Sequence, residues 1–287
     1  MNEKVFINDG LVDMTEAKVS AADAGFLYGA GLFETMRANN GVVFAIEDHL
    51  DRLYFSAHKL AIKNTYDKQY VYDAVCKVLE ANGLKDARLR LTLTGGKVVT
   101  EESEQKSTLL VTAAELTGYP AAYYEKGVVV ALCPYRQNPF DPTCGHKVLS
   151  YFPRMLGLEF AHKFRCAEAL WFTNDNRLAE GCISNVFLVK AGKLLTPPVE
   201  TPVLPGVARK TVCELALRDS IALEEKPLTI DAVLSADEIF LTNVIMKVLP
   251  VNSVEKHTVG DGKVGPVTKK VQTMFDECIE RCCGAKQ

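Results

Sequence analysis

Lys147 is the lysine whose surroundings best suit covalent chemistry with a carbonyl compound. It follows a polar, proline-containing loop at 134–145 and lies in the fairly apolar segment Cys144-Gly145-His146-Lys147-Val148-Leu149. Removing an amine from water favours its neutral form, which attacks carbonyl carbons to give Schiff bases. Most lysines are instead solvated at the surface. Spacing alone does not select Lys147 from the other lysines, so the residues indicate a candidate nucleophile only.

Two glycine-rich runs have the composition of nucleotide-binding loops but not the spacing. Gly29-Ala30-Gly31 is followed by Glu34 where a dinucleotide fingerprint requires a third glycine, and it leads into a strand pattern rather than a helix. Gly95-Gly96-Lys97 lacks both the spacing and the Ser or Thr of a phosphate-binding P-loop. We therefore expect neither run to bind a nucleotide.

The elements that must position these residues follow from periodicity and turn signals. Ile46, Leu50, Leu53 and Ala57 recur at spacings of four, three and four, which places them on one helix face. Alternating leucines at 89–93 indicate a half-buried strand. The same reasoning predicts helices at 67–82, 153–162, 207–219 and 267–280, and strands at 5–7, 32–37, 42–44, 108–114, 128–133, 169–172, 185–189 and 238–242.

Turn-prone and small residues at 118–122 interrupt this pattern and predict a domain boundary. We therefore expect an α+β fold of two domains, with mixed sheets and flanking helices. Residues 1–118 form the N-terminal domain in this prediction, 119–126 the linker, and 127–287 the C-terminal domain that carries Lys147.

Composition excludes several classes of protein. The chain has 33 Lys and Arg against 36 Asp and Glu, so its charge gives no reason to expect nucleic acid or an anionic membrane as partner. No run of about 18 apolar residues predicts a membrane span, and the N-terminus lacks a signal-peptide pattern. Nine scattered cysteines favour free thiols in the cytoplasm. Cys278, Cys282 and Cys283 lack a fourth ligand nearby, so no metal site is expected.

Six ordered segments resemble the motifs of class IV aminotransferases. The most diagnostic is Glu180-Gly181-Cys182-Ile183-Ser184-Asn185-Val186-Phe187. The others are residues 23–37, 49–53, 147–151, 204–209 and 238–243, and Pro250-Val251 completes the set. The resemblance spans nearly the whole chain. It implies a homodimeric enzyme of fold type IV, similar to D-amino-acid aminotransferases, that depends on pyridoxal 5'-phosphate.

The resemblance also implies roles for individual residues. Lys147 would hold the cofactor through a Schiff base and move the substrate proton, and Glu180 would keep the pyridine nitrogen protonated. Otherwise Glu180 is a turn residue. Arg52 would grip the phosphate; otherwise it is an exposed arginine on the helix. Further cofactor contacts are implied for Tyr151, Ser184, Asn185, Val207, Ala208, Thr242 and Asn243.

Residues of the substrate pocket follow from the same resemblance. The candidates are Tyr28, Phe33, Glu34 and Arg90, together with the segment after Gly95. Many relatives have Thr at the position of Ala208, so one hydrogen bond to the phosphate is expected to be missing.

The reaction divides the family. A transaminase passes an amino group from an amino acid, branched-chain or D, to a 2-oxo acid, whereas aminodeoxychorismate lyase releases pyruvate and 4-aminobenzoate. Residues 33–37 lack the Gly of branched-chain enzymes, and 242–246 is more similar to lyases. Residues 95–98 lack the Arg-rich continuation of many lyases, and no His near Arg88 or Arg90 matches the Arg-x-His pair of D-amino-acid enzymes. Because transamination is the commoner activity, we expect a transaminase, with the lyase as the alternative and a non-catalytic cofactor-binding protein less favoured.

Overall fold

The computed structural model describes residues 3–98 and 106–284, which divide into two compact units. The first unit comprises Met1–Thr117, His146–Ser150 and Ile279–Gln287, and the second comprises Gly118–Gly145 and Tyr151–Cys278. Most of the segment after Gly95, residues 99–105, lies outside the described residues. Within the described part of the chain, no helix is long and apolar enough to cross a membrane.

The first unit is built on a six-stranded sheet in the order β2-β1-β6-β5-β3-β4, in which every pair is antiparallel. Its strands are β1 (Lys4–Ile7), β2 (Gly10–Asp13), β3 (Gly31–Asn39), β4 (Val42–Val43), β5 (Ala87–Thr94) and β6 (Thr108–Glu115). Its helices are α1 (Ala24–Tyr28), α2 (Ile46–Lys59) and α3 (Lys68–Ala81), with a single 3-10 turn at Met14–Glu16.

The core of this unit lies on one face of the sheet. Leu89, Leu91 and Leu93 of β5 are fully buried because alternate residues of a strand share a face. They pack in one cluster with the apolar stripe of α2 and with α3. Asp67 begins α3 by accepting a hydrogen bond from the Tyr70 amide at 2.7 Å. The predicted strand and helix face are therefore confirmed.

The second unit contains a nine-stranded sheet in the order β12-β11-β10-β13-β14-β7-β8-β9, with β15 paired to β14. Its strands are β7 (Val128–Gln137), β8 (Glu168–Thr173), β9 (Leu178–Gly181), β10 (Asn185–Lys190), β11 (Lys193–Thr196), β12 (Leu223–Glu225), β13 (Glu238–Asn243), β14 (Lys247–Val254) and β15 (His257–Thr258). Its helices are α4 (Ala121–Lys126), α5 (Phe152–Lys163), α6 (Val207–Arg218), α7 (Ile230–Leu234) and α8 (Pro266–Cys283), whose last turn is assigned to the first unit.

The α+β prediction is confirmed, although only the second sheet is mixed. β7 is parallel to both β8 and β14, and β11 is parallel to β12, whereas the remaining pairs are antiparallel. Its central strands β10 and β13 are buried, and the rings of Phe187 and Phe240 stack between them at 5.0 Å.

The structure also departs from the sequence prediction at the loop after β7, at the linker and at the Lys147 segment. The loop expected to begin at Pro134 begins later, because β7 continues to Gln137 across an irregularity between Leu132 and Arg136. Such an irregularity accommodates Pro134, which cannot donate a ladder hydrogen bond. Residues 121–126 of the expected linker form α4. The segment His146–Ser150, expected in the C-terminal domain, belongs to the first unit.

Candidate active site

The backbone of Lys147 is held by the edge of β3. The Phe33 amide donates to the Lys147 carbonyl at 2.9 Å, and the Leu149 amide donates to the Gly31 carbonyl at 2.9 Å. β4 pairs only with the far end of β3, at Ala38 and Asn39, so this end has an edge available for the lysine segment. These two hydrogen bonds fix the direction in which the Lys147 side chain leaves the backbone.

The run Gly29-Ala30-Gly31, which lacks the spacing of a nucleotide-binding loop, allows the lysine segment to approach β3. Gly29 has a φ of 67°, and a Cβ there would lie 3.2 Å from Ser150. A Cβ on Gly31 would lie 2.6 Å from a methyl carbon of Leu149. Both glycines are therefore required for the close approach of residues 149–150, which explains their spacing without any phosphate.

Three of the residues predicted for the site meet on one face of the first sheet. The Lys147 amine lies 4.3 Å from the centre of the Phe33 ring, and the Arg90 guanidinium lies 3.6 Å from the same centre. Cations are attracted to the face of an aromatic ring. Phe33 is buried, whereas Lys147 and Arg90 are half-buried. The Phe33 ring thus contacts two positive groups, and one of them is the amine of the candidate nucleophile.

Glu34, predicted as a substrate contact, lies on the opposite face of β3 from Phe33 because successive strand residues alternate. Its Oε1 accepts from Arg52 Nε at 2.8 Å and its Oε2 from Arg52 Nη2 at 2.5 Å. Oε2 also lies 2.7 Å from His49 Nδ1. All three side chains are buried, so Glu34 fixes the guanidinium of the predicted phosphate ligand. It is placed to orient Arg52 and is itself shielded from solvent.

The charges of this triad follow from its surroundings. Burial alone would raise the pKa of Glu34, but the Arg52 charge and the hydrogen bonds from His49 and Arg52 outweigh it and lower that pKa to about 2. Burial lowers the pKa of His49, against the effect of Glu34. His49 is therefore neutral at pH 7, and its contact is a hydrogen bond in which Nδ1–H donates to the carboxylate. His49 Nε2 has no hydrogen-bond partner among the described residues.

In the second unit, Glu180 lies on β9 and both of its carboxylate oxygens are engaged. Oε1 accepts from Arg154 Nη2 at 2.6 Å, and Oε2 accepts from the Leu204 amide at 3.0 Å. Each carboxylate oxygen has two lone pairs, so the group can accept further hydrogen bonds. Glu180 is therefore a fixed, paired carboxylate rather than a solvated turn residue.

The turn that follows Glu180 is held by three side chains, two from the start of α5 and one from β13. Tyr151 donates to the Cys182 carbonyl at 2.6 Å, and Asn243 Nδ2 donates to the Ile183 carbonyl at 3.0 Å. Arg154 Nη1 donates to the Gly181 carbonyl at 3.3 Å. Burial raises the pKa of Tyr151, so its hydroxyl remains a donor. Tyr151 and Asn243, predicted as cofactor contacts, thus hold the backbone beside Glu180.

Glu168 completes this support from beneath the turn. Its Oε1 accepts from the Ile183 amide at 2.6 Å and its Oε2 from the Ser184 hydroxyl at 2.8 Å. A side chain on Gly181 would overlap the Glu168 carboxylate and the Ser184 hydroxyl. Burial raises the pKa of Glu168 to about 7, against the effect of these two hydrogen bonds. The predicted cofactor residue Ser184 is therefore bound to a buried carboxyl group.

The predicted phosphate cup lies at the start of α6. Gly206 caps the helix without a side-chain hydrogen bond, and Val207 and Ala208 follow it. The side-chain Nδ2 of Asn185 donates to the Leu204 carbonyl at 2.9 Å, and a Cβ on Gly206 would overlap Asn185 Oδ1. Asn185 thus shapes the approach to a helix N-terminus, where N–H groups without an intrahelical partner favour an anion.

Thr242 adds a further donor near this position. It is the cross-strand neighbour of Asn185, between β13 and β10. Its buried hydroxyl has no hydrogen-bond partner among the described residues. A buried hydroxyl without a partner costs free energy unless a ligand or water satisfies it. This orphaned donor, together with the amides of α6, suits a phosphate oxygen.

Several residues fall outside what the motifs indicated. Tyr28 is exposed on α1, and within the described part of the chain no hydrogen bond or ring contact joins it to another predicted site residue. Arg154, Glu168 and His49 were not assigned roles. Only His49 carried a signal, because it lies three residues before Arg52 and therefore on the same side of α2. No group of three metal-ligating side chains occurs among the residues the structure describes.

Comparison with known proteins places the chain in a family. The family model described as amino-transferase class IV matches residues 31–254. A putative branched-chain-amino-acid aminotransferase of Methanocaldococcus jannaschii is 34% identical over 278 residues, with 96% of each chain covered. A D-alanine aminotransferase of Staphylococcus haemolyticus is 30% identical, covering 96% of this chain and 98% of its own. The chain belongs to the class IV aminotransferases.

Solved structures agree in fold. The branched-chain amino acid aminotransferase of Escherichia coli is 26% identical with a TM-score of 0.93, over 100% of this chain and 97% of its own. The 4-amino-4-deoxychorismate lyase of Pseudomonas aeruginosa is 26% identical with a TM-score of 0.85, over 95% and 98%. Both activities named in the sequence analysis therefore occur on this fold.

Proposed function

We propose that this chain is a pyridoxal-phosphate-dependent aminotransferase that moves an amino group between an amino acid and a 2-oxo acid. The observation that carries the proposal is the anchoring of Lys147 to β3 by two backbone hydrogen bonds, with its amine against Phe33. A surface lysine needs no such support, and the two glycines of residues 29–31 are required to provide it.

The residues present fit this cofactor. In the second unit, the orphaned Thr242 hydroxyl and the amides of Val207 and Ala208 suit a phosphate group. In the first unit, the Arg52 guanidinium held by Glu34 is a cation of the kind that binds phosphate. When bound, pyridoxal phosphate supplies a conjugated ring that takes up the electrons left on the substrate's α-carbon. Ala208 has no hydroxyl, so the cup depends on backbone amides at this position.

The other roles follow from the chemistry of the side chains. Lys147 would attach the cofactor through its ε-amine and then move the proton that leaves the substrate's α-carbon. Glu180 would accept a hydrogen bond from the ring nitrogen and favour its protonated form. Arg90, which contacts the Phe33 ring as Lys147 does, would attract the substrate carboxylate. Tyr151, Ser184 and Asn243 would act by holding the backbone beside Glu180.

A homodimer in the cytoplasm is part of the proposal. Phe152, Met155 and Leu156 are exposed at spacings that place them on one side of α5. Such an apolar patch is typical of an interface between subunits. All nine cysteines lie among the described residues as thiols, the state typical of a reducing compartment.

A second candidate function is the elimination of pyruvate from aminodeoxychorismate. The lyase neighbour favours it, since its structure covers nearly the whole chain at the same identity as the transaminase neighbour. The two reactions share deprotonation of the α-carbon, so the residue roles above do not distinguish them.

The test uses purified protein loaded with pyridoxal phosphate and no 2-oxo acid. We would add L-leucine, L-valine, D-alanine or aminodeoxychorismate separately, follow the cofactor spectrum and assay pyruvate. Conversion of the cofactor to its amine form by an amino acid would establish the transaminase and the preferred hand. Catalytic release of pyruvate and 4-aminobenzoate with an unchanged cofactor spectrum would instead establish the lyase.

The residue assignment has its own test. Lys147→Ala should lose the visible absorption of covalently bound cofactor and all turnover while keeping its far-UV circular dichroism. Borohydride reduction of the wild type should fix the cofactor to the peptide that contains Lys147. Lys256→Ala, at an exposed position in the turn between β14 and β15, is the matched control and should behave as wild type. Activity retained by Lys147→Ala would contradict the assignment.

A further inference from the structure

Arg154, on the first turn of α5, is held in place by four groups. Nη2 donates to Glu180 Oε1 at 2.6 Å and to Gln137 Oε1 at 2.8 Å, and Nη1 donates to the Gly181 carbonyl at 3.3 Å. The guanidinium also lies 4.5 Å from the centre of the Trp171 ring. A side chain with this many partners has little freedom, so Glu180 is held by a rigid cation.

A second carboxyl group, that of Glu168, lies near Glu180, and two negative charges at this distance would repel each other. Glu168 is fully buried beneath the turn at Gly181, and the proximity of Glu180 adds to the burial that raises the pKa of Glu168, whereas Arg154 acts against it. Two neighbouring carboxylates share a proton unless a cation compensates them. Arg154 is the cation that contacts Glu180, and within residues 3–98 and 106–284 it forms no ion pair with another carboxylate.

We propose that Arg154 is a positioning residue that supplies the positive charge beside Glu180 and aims its carboxylate at the ring nitrogen of the cofactor. The inference rests on the proposed function, because it concerns the role of Glu180 toward that nitrogen. A purely structural Arg154 would support the turn at 181–184 and would affect every ligand of the site equally. A positioning Arg154 affects only the interaction with the ring nitrogen.

The chain contains its own reporter for this site. Trp171 is the single tryptophan. It is buried on β8, with Arg154 over its ring and its Nε1 donating to Cys182 Sγ at 3.2 Å. Its fluorescence therefore reports ligand binding beside Glu180 without any requirement for turnover.

The experiment compares two probes on cofactor-free protein. Dissociation constants of pyridoxal phosphate and of its 1-deaza analogue, in which carbon replaces the ring nitrogen, would be measured by Trp171 fluorescence. The variants are Arg154→Gln, which removes the charge, and Arg154→Lys, which keeps it. Arg218→Gln is the matched control, because Arg218 is exposed at the far end of α6 and forms an ion pair with its neighbour Asp219.

Wild-type protein should prefer pyridoxal phosphate over the deaza probe. Arg154→Gln should reduce that preference about tenfold or more, the size expected when a hydrogen bond to a charged group is lost. Arg154→Lys and Arg218→Gln should keep it within about threefold of wild type, a difference well below the same hydrogen bond. If Arg154→Gln does not fold, Arg154→Lys decides the matter, since a preference lost despite the retained charge would overturn the proposal.

Two further outcomes separate the inference from the proposed function. Equal weakening of both probes by Arg154→Gln, or an unchanged preference, would overturn the role of Arg154 alone. Failure of the wild-type protein to bind pyridoxal phosphate would overturn the proposed function itself, and the inference with it.

Discussion

The buried triad of Glu34, His49 and Arg52 gives a prediction whose size follows from the structure. Glu34→Gln keeps the shape of the side chain but removes its charge, so the Arg52 guanidinium is left without a counter-charge in a buried position. The fall in the pKa of Glu34 from 4.5 to about 2 corresponds to about 3 kcal/mol of stability at pH 7. The loss expected on breaking a buried ion pair is similar, about 3–5 kcal/mol.

The pH dependence of this effect has a definite sign. The pKa of Glu34 is lower in the folded than in the unfolded state, so its stabilisation is complete above about pH 4.5. It is lost as the pH falls from that value toward 2, because the unfolded state then binds a proton that the folded state, with Arg52 beside the carboxylate, does not bind until about pH 2. The stability difference between wild type and Glu34→Gln should therefore shrink on acidification.

The assay is urea unfolding of the cofactor-free proteins at pH 7 and at several values down to the lowest at which wild type remains folded. Glu47→Gln is the control, because Glu47 is exposed on the same helix and its pair with Lys68 should contribute less than about 1 kcal/mol. A loss below about 1 kcal/mol for Glu34→Gln would refute the reasoning, since a buried unpaired cation should cost more. A difference that stays constant with pH would refute it equally.

Two other predictions concern the turn beside Glu180 and the exposed face of α5. Gly181→Ala should destabilise the protein by about 1–3 kcal/mol and weaken cofactor binding, because its Cβ would overlap Glu168 and Ser184. Thermal unfolding measures the stability and cofactor titration the affinity. Wild-type values for this variant would contradict the prediction and show that the turn relaxes freely. Phe152→Glu should shift the protein from dimer to monomer in sedimentation experiments, because it puts a charge into the apolar patch proposed as the subunit interface. An unchanged dimer would place the interface elsewhere.

The sequence predicted those parts of the fold that depend on local periodicity. The leucines of β5 and the apolar stripe of α2 are buried because a strand repeats every two residues and a helix every 3.6. Pro134 misled the prediction of β7, since a local rule that excludes proline from strands does not foresee a bulge.

Contacts between distant segments were beyond the reach of such patterns. The pairing of Gly31 with Leu149 depends on tertiary structure, and the periodicity of neither segment indicates it. Arg154 lies in a helix start with no motif, so its contact with Glu180 has no local signature. Motif resemblance supplied the identity of the candidate site residues, but not which of them support the backbone rather than face a ligand.

The dependence of Lys147 on the edge of β3 has a consequence for biosynthesis. The ribosome completes β3 roughly a hundred residues before it reaches Lys147. At about 5–20 residues per second, this edge waits on the order of 10 s for its partner segment. An unpaired strand edge can recruit strands from other nascent chains. The interval is therefore a window in which a chaperone that covers exposed strands would protect the newly made chain, and truncation before residue 146 would leave the edge permanently open to aggregation.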